Sequence, residues 1–334
     1  MALGDHYKLN EIPHLDHTSL HAARFIPTLS FYSGEWQVFL QIGADKFVHA
    51  QAWPAEAVYF GTKPEEPTDI GSTFLNLLGQ RANMRSLSRQ YRAVLDDMFN
   101  LSASFAKLDL IRRSNSVGAS RMAATEVEYI LIVCRSIFDH LQETVEGIWS
   151  KTKPTDPRFQ KRNLPTSFRG MVMKGGAVLS ADEILEKHKL FGPLAECYAR
   201  HAELFLRLRT YRDRLVHGGQ TVEHIYTGDD HLHINKRFGP LTDLDIWRPE
   251  EILVNDLVPL LPAVGMVVQA TLAACEDFAT TILQAIQLEP PIAPGMGLFI
   301  RGYFNKELVS VVEDANARIA EGRFLIAPSV AELR

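Results

Sequence analysis

Cysteine is scarce in this chain of 334 residues: Cys134, Cys197 and Cys275 are the three present, and no CxxC pair occurs. An odd number in helix-like apolar surroundings excludes a disulfide framework and points to buried free thiols. A basic excess is missing too. The net charge is −5, so any contact with nucleic acid has to come from a local patch. The sequence also lacks GxSxG, a Walker phosphate loop and a GxGxxG that follows a strand. Serine-hydrolase, P-loop and dinucleotide-binding readings therefore have no support in the residues. The N-terminal MALGDHYKLNEIPHLDH is polar and has no continuous apolar core. No secretory leader is expected, and the cytoplasm is the expected location. Long apolar runs are few. One stretch, Leu257 to Cys275, carries no charge but holds Pro259, Pro262, Gly265 and Gln269. It reads as a buried helix and not as a membrane span. No internal repeat is found.

What is present is ordinary globular material, 46% hydrophobic and 22% charged, enough for roughly two domains. Residues 1–77 read as a small β-rich region. RFIPTLSFY, EWQVFLQI and KFVHAQAW are runs of β-branched and aromatic residues separated by turn residues. From 78 to 288 the apolar period becomes helical, with helices expected near 80–112, 119–150, 193–217 and 250–287. Ile130, Cys134, Ile137, Leu141, Val145 and Ile148 make one apolar stripe; Glu128, Arg135, Asp139, Gln142 and Glu146 are read as its polar counterpart. Ser180 and Glu183 form a capping box that opens a short helix. A β-hairpin is expected at about 221–238. Residues 289–334 read as a strand and helix appended to the rest. The expected fold is mainly α: an up-and-down bundle of four to five long helices with a β-rich N-terminal region and an inserted hairpin.

The stretch YRDRLVHGG, Tyr211 to Gly219, ends the third long helix at two glycines. Leu194, Tyr198, Phe205, Leu208 and Leu215 define that helix's apolar stripe, and His201 and Arg212 fall inside it. A guanidinium on an apolar face needs an anion, an acid on a neighbouring helix or a second subunit. His217 is the last helical position, and histidine exchanges protons near neutral pH.

Arg212-Asp213-Arg214-Leu215-Val216-His217 resembles the Arg-x4-6-His signature of HEPN domains (higher eukaryotes and prokaryotes nucleotide-binding). In that family an Asn, Asp or His often follows the arginine, and Asp213 fits. The resemblance covers about 80–288. It implies a compact helical bundle, usually dimeric. It further implies a metal-independent ribonuclease whose site pairs the Arg and His of both subunits, here Arg212 and His217 with Asp213 orienting one of them. Many members are inactive, so a non-catalytic module that binds a protein partner or nucleotide is the alternative. A cognate antitoxin or regulatory protein is a further implied partner. Arg135-Ser-Ile-Phe-Asp-His140 matches the same spacing. It lies mid-helix on the polar stripe, with Glu128 and Asp139 near, and is read as a solvated or inter-helix face.

The loop KTKPTDPRFQKRNLPTSFRGMVMK adds seven basic residues, Lys151, Lys153, Arg158, Lys161, Arg162, Arg169 and Lys174, against Asp156 alone. Phe159 and Phe168 are interleaved, so the loop reads as a track for single-stranded RNA or as a solvated linker. His224, His231 and His233, and His14, His17 and His21, have suggestive spacings but lack the acidic or cysteine ligands of a known zinc motif. No metal or cofactor is expected.

Overall fold

A computed structural model of the chain describes residues 3–16, 27–34, 36–50, 58–67, 69–81, 85–114, 116–153, 160–217, 224–228, 231–237, 241, 244–302, 304–323 and 325; the side chains of 3–5, 36, 85–86, 212 and 214–217 lie outside that description. The protein is mostly α, 57% helical, with eight helices and several small sheets among the described residues. In chain order the elements are β1 (Leu3–Tyr7), β2 (Thr28–Tyr32), β3 (Trp36–Gly43), β4 (Lys46–Ala50), β5 (Val58–Gly61), β6 (Ile70–Gly71), α1 (Thr73–Gly79), α2 (Arg85–Ser114), α3 (Ala119–Lys151) and α4 (Phe168–Val172). There follow β7 (Met173–Lys174), β8 (Ala177–Val178), α5 (Ala181–His188), α6 (Gly192–His217), β9 (Tyr226–Thr227), β10 (Leu232–Asn235), β11 (Leu257–Pro259), α7 (Leu260–Ala285), β12 (Gly297–Ile300) and α8 (Lys306–Ala320).

Contacts divide the chain into two compact units, Met1–Tyr59 with Ile300–Gly302, and Phe60–Phe299 with Tyr303–Arg334. In the first unit, β1, β4, β3 and β2 form an antiparallel sheet in that order. Alternation puts Leu29, Phe39 and Phe47 on one face, where Ile12 completes a small core. Phe31 stacks on Phe39 with ring centres 6.1 Å apart.

The second unit is built on the long helices. α2 and α3 run side by side in opposite directions, since Lys107 meets Glu126 and Asp97 meets His140. α6 is likewise antiparallel to α3, because the Arg135 guanidinium lies over Phe205 while the Tyr198 hydroxyl donates to Gln142 Oε1 at 2.6 Å. Phe138, Phe168, Tyr198, Phe205 and Phe278 meet in one aromatic core around Phe168. The apolar stripe read on α3 is buried. Its polar counterpart needs correction at Gln142, which is fully buried. Gln142 accepts from Tyr198 and donates to the Pro165 carbonyl at 2.7 Å. All three cysteines are free and buried.

Helix ends have local causes. Ser180 and Glu183 make the expected capping box on α5. Asn305 caps α8 through Leu308 N. α1 is capped twice: Ser72 accepts from Leu75 N, and Glu276 of α7 accepts from Thr73 N at 2.8 Å and from Ser72 Oγ at 2.6 Å. α7 is long and apolar enough to cross a membrane, yet 56% of its apolar window is buried within the chain. β9, β10 and β11 form an antiparallel sheet in the order β11-β10-β9.

Candidate functional site

α6 carries the residues singled out by the sequence. The helix begins at Gly192, one residue before Pro193, and continues unbroken to His217. Arg212 and His217 are therefore helical, and a rise of about 1.5 Å per residue separates them by about 7.5 Å along the axis. Their side chains, and Gly218 and Gly219, lie outside the described residues. Asp213 is half-buried, and its carboxylate accepts from Arg209 Nε at 3.3 Å, one turn back on the same helix. The antiparallel register of α3 and α6 matches each step toward the start of α3 with one toward the end of α6. Arg212 is thus level with Glu128, whose Oε1 is buried without a hydrogen-bond partner.

The other Arg-x4-His pair is more enclosed than its polar stripe suggested. Arg135 is 14% exposed, and its Nη1 lies 2.7 Å from Asp139 Oδ1. Its guanidinium carbon sits 4.4 Å from the Phe205 ring centre, a cation–π arrangement. Arg135 thus faces α6 and is not solvated. One turn on, His140 Nε2 lies 3.4 Å from Ser136 Oγ and 3.6 Å from Asp97 Oδ2 on α2. Both neighbours face the same ring nitrogen, so the three do not form a Ser-His-Asp relay, which needs one partner on each nitrogen. Arg135 Nε, His140 Nδ1 and Asp97 Oδ2 are buried without hydrogen-bond partners. Burial raises the Asp97 carboxyl, only partly offset by His140.

The basic loop needs a second correction. Phe168, read as a stacking surface for bases, is 0% exposed in the aromatic core, where no base reaches it. Lys161 is half-buried and donates to the Ser150 and Thr152 carbonyls at 3.0 and 2.6 Å, closing the end of α3. Burial lowers its ammonium. Arg162 Nη1 donates to the Lys187 carbonyl at 3.1 Å. Lys151, Lys153, Arg162, Arg169 and Lys174 are exposed. Arg158 and Phe159 lie outside the described residues.

A third constellation joins α6 to α7 and was not anticipated. Asp277 receives Arg200 Nη2 at 2.9 Å on Oδ2 and at 3.1 Å on Oδ1. His201 Nε2 is 2.8 Å from the same Oδ2, and the Cys197 thiol donates to it at 3.5 Å. Burial alone would raise Asp277, but hydrogen bonds from His201 and Arg200 outweigh it and hold the carboxyl at about 2. Burial, then Asp277, pushes the Cys197 thiol up. The signal in the sequence was Cys197-x3-His201, a helix-face spacing that a search for histidine clusters passes over. Of the histidine sets considered from sequence, His231 and His233 stand edge to face with ring centres 6.0 Å apart, and His17 and His21 lie outside the described residues. No protein-family model, no curated protein and no solved structure matches the chain.

Proposed function

We propose that the second unit is a HEPN-like up-and-down bundle that cuts single-stranded RNA without a metal, as a homodimer, with Arg212 and His217 as the reacting pair. The observation that carries this reading is the course of α6, which runs unbroken from Gly192 to His217 and so sets Arg212 and His217 on one helix. Gly218-Gly219 follows His217 in the sequence as a helix stop, and a histidine at such an end has free backbone carbonyls beside it that favour a cation. In the cleavage, the RNA 2′-hydroxyl attacks the adjacent phosphorus and the 5′-oxygen departs. One His217 takes the 2′ proton, and the His217 of the second copy returns a proton to the leaving oxygen. Arg212 holds the non-bridging oxygens of the phosphorane through its planar fork. The products are a 2′,3′-cyclic phosphate and a 5′-hydroxyl.

The test is cleavage of single-stranded RNA by the full chain in EDTA. His217→Ala and Arg212→Lys are each expected to slow it roughly 100-fold or more. Sedimentation should give a mass that rises with concentration toward a dimer. Cleavage that survives in His217→Ala sinks this assignment. If wild type cleaves no RNA while Arg212→Lys and Glu128→Gln both lower stability, Arg212 is a structural partner of α3 and the chain is a binding module. A second reading places the same chemistry on α3. The partnerless nitrogens of Arg135 and His140, both buried, favour it, and loss of cleavage in His140→Ala but not in His217→Ala would select it.

A further inference from the structure

We propose that Cys197, His201 and Asp277 form a binding site for a thiophilic divalent cation of the zinc class. Among the described residues they are the one group of three or more His, Cys, Asp and Glu donors with all its ligand atoms within 4.8 Å of one another. The argument begins with the helix. Cys197 and His201 are one turn apart on α6, so a thiol and an imidazole point from one face. Asp277 approaches from α7. Around a tetrahedral zinc, bonds of about 2.3 Å to sulfur and about 2.1 Å to oxygen or nitrogen place a sulfur and an oxygen about 3.6 Å apart. The Cys197 sulfur stands 3.5 Å from Asp277 Oδ2. The nitrogen and oxygen stand 2.8 Å apart, and a metal between them has to open that pair to about 3.4 Å. His201 is half-buried, which leaves that ring room to turn.

Chemistry selects the class of ion. Sulfur, imidazole nitrogen and one carboxylate oxygen make a mixed set that suits zinc and its neighbours, and not magnesium or calcium, which require oxygen ligands. Cys197 is 0% exposed, with its sulfur against the Asp277 carboxylate and within reach of the Thr281 hydroxyl. Asp277, 32% exposed, gives the ion a path from solvent. On coordination the thiol releases its proton to solvent, and the imidazole binds through Nε2 with its remaining proton on Nδ1. The charge closes: a divalent ion against one thiolate and one carboxylate leaves Arg200 with Asp277 Oδ1, an orienting contact of the kind that supports metal-bound carboxylates. Three protein ligands leave a fourth position for water. The site is 11 residues from Arg212, about 16 Å along α6, so it does not depend on the ribonuclease reading.

The experiment uses the chelator-treated full chain titrated with Co²⁺. The expected result is one equivalent bound, with a thiolate-to-cobalt charge-transfer band in the near ultraviolet that Zn²⁺ abolishes. Zn²⁺ should also raise the unfolding temperature. Cys197→Ser should lose the band, and His201→Ala should bind at least about 10-fold more weakly. Should either variant fail to fold, X-ray absorption of the zinc-loaded wild type decides, because the site predicts one sulfur per zinc. No saturable cobalt spectrum, a band that persists in Cys197→Ser, or a zinc shell of any other sulfur count overturns the proposal.

Discussion

Asp97 is the clearest case of a residue placed at a cost. Its Oδ2 is buried without a hydrogen-bond partner, and the nearest cationic candidate, His140 Nε2, stops 3.6 Å short. Burial raises its carboxyl above the ordinary value. A raised acid is neutral in both states below about pH 4, its unfolded value. As pH rises past that point the unfolded chain loses the proton first, so folding loses stability until the folded carboxyl has also ionised. Asp97→Asn removes the charge and keeps the shape. It is expected to stabilise the protein at pH 7 by roughly 1 kcal/mol, about 2–4 °C in Tm, with the gain fading below about pH 4. Thermal melts of both proteins across that range check it, and a variant less stable at neutral pH would mean that the Asp97–His140 pair is a net attraction.

At the scale of elements, the apolar period announced where the long helices lie, because the period follows from helix geometry and burial alone. α2, α3 and α6 begin and end within a few residues of the expected limits, whereas α7 starts ten residues later than expected; the turns account for β2, β3 and β4 of the first sheet but not for β1, which pairs with β4. Partners were not legible. Gln142 has the residue type of a surface, and only the approach of Tyr198 and Pro165 makes it a core residue. Phe168 lies in a basic loop, yet the following turn of α4 drives it into the core. The Cys197, His201 and Asp277 site depends on α7 arriving beside α6, which no local pattern encodes. Close approach of α7 to α8 is similarly hidden in one glycine. A Cβ on Gly265 would strike Val311 Cγ1 and come within 3.2 Å of the Val311 carbonyl oxygen. Alanine normally gains about 1 kcal/mol over glycine inside a helix, but overpacking here costs about 1–3 kcal/mol. Gly265→Ala should therefore lower stability or leave it level, and adding Val311→Ala should recover part of the loss. Chemical denaturation of the four-protein cycle tests this. Equal additivity would show that the helices part freely.

The whole second unit is closed by an ion network that spans distant parts of the chain. Arg318 of α8 is 2% exposed. It donates to Glu251 Oε2 at 2.8 Å, to the Ile246 carbonyl at 2.9 Å and to Asp314 at 2.7 Å. Arg248 binds Glu321 at 2.7 Å and Asp314 at 3.4 Å, so α8 is tied at both Asp314 and Glu321 to the segment before α7. Burial alone would raise Glu251, but hydrogen bonds from Arg318 and from the Arg248 backbone outweigh it, and the carboxyl is lowered. The sign is opposite to that of Asp97. A lowered acid contributes its stability above the unfolded value of about 4.3 and loses it as pH falls through the folded value. Glu251→Gln keeps the size of the side chain but leaves Asp314 as the one anion against the buried guanidinium, at a cost of roughly 3 kcal/mol at pH 7. The cost is expected to shrink once the wild-type carboxyl is itself protonated, so the two denaturation curves should converge below about pH 4. Urea titrations at pH 7, 5 and 3 measure it. A penalty that stays constant down to pH 3 would mean that Glu251 acts through its volume, and that α8 is held by its apolar contacts with α7 and not by charge.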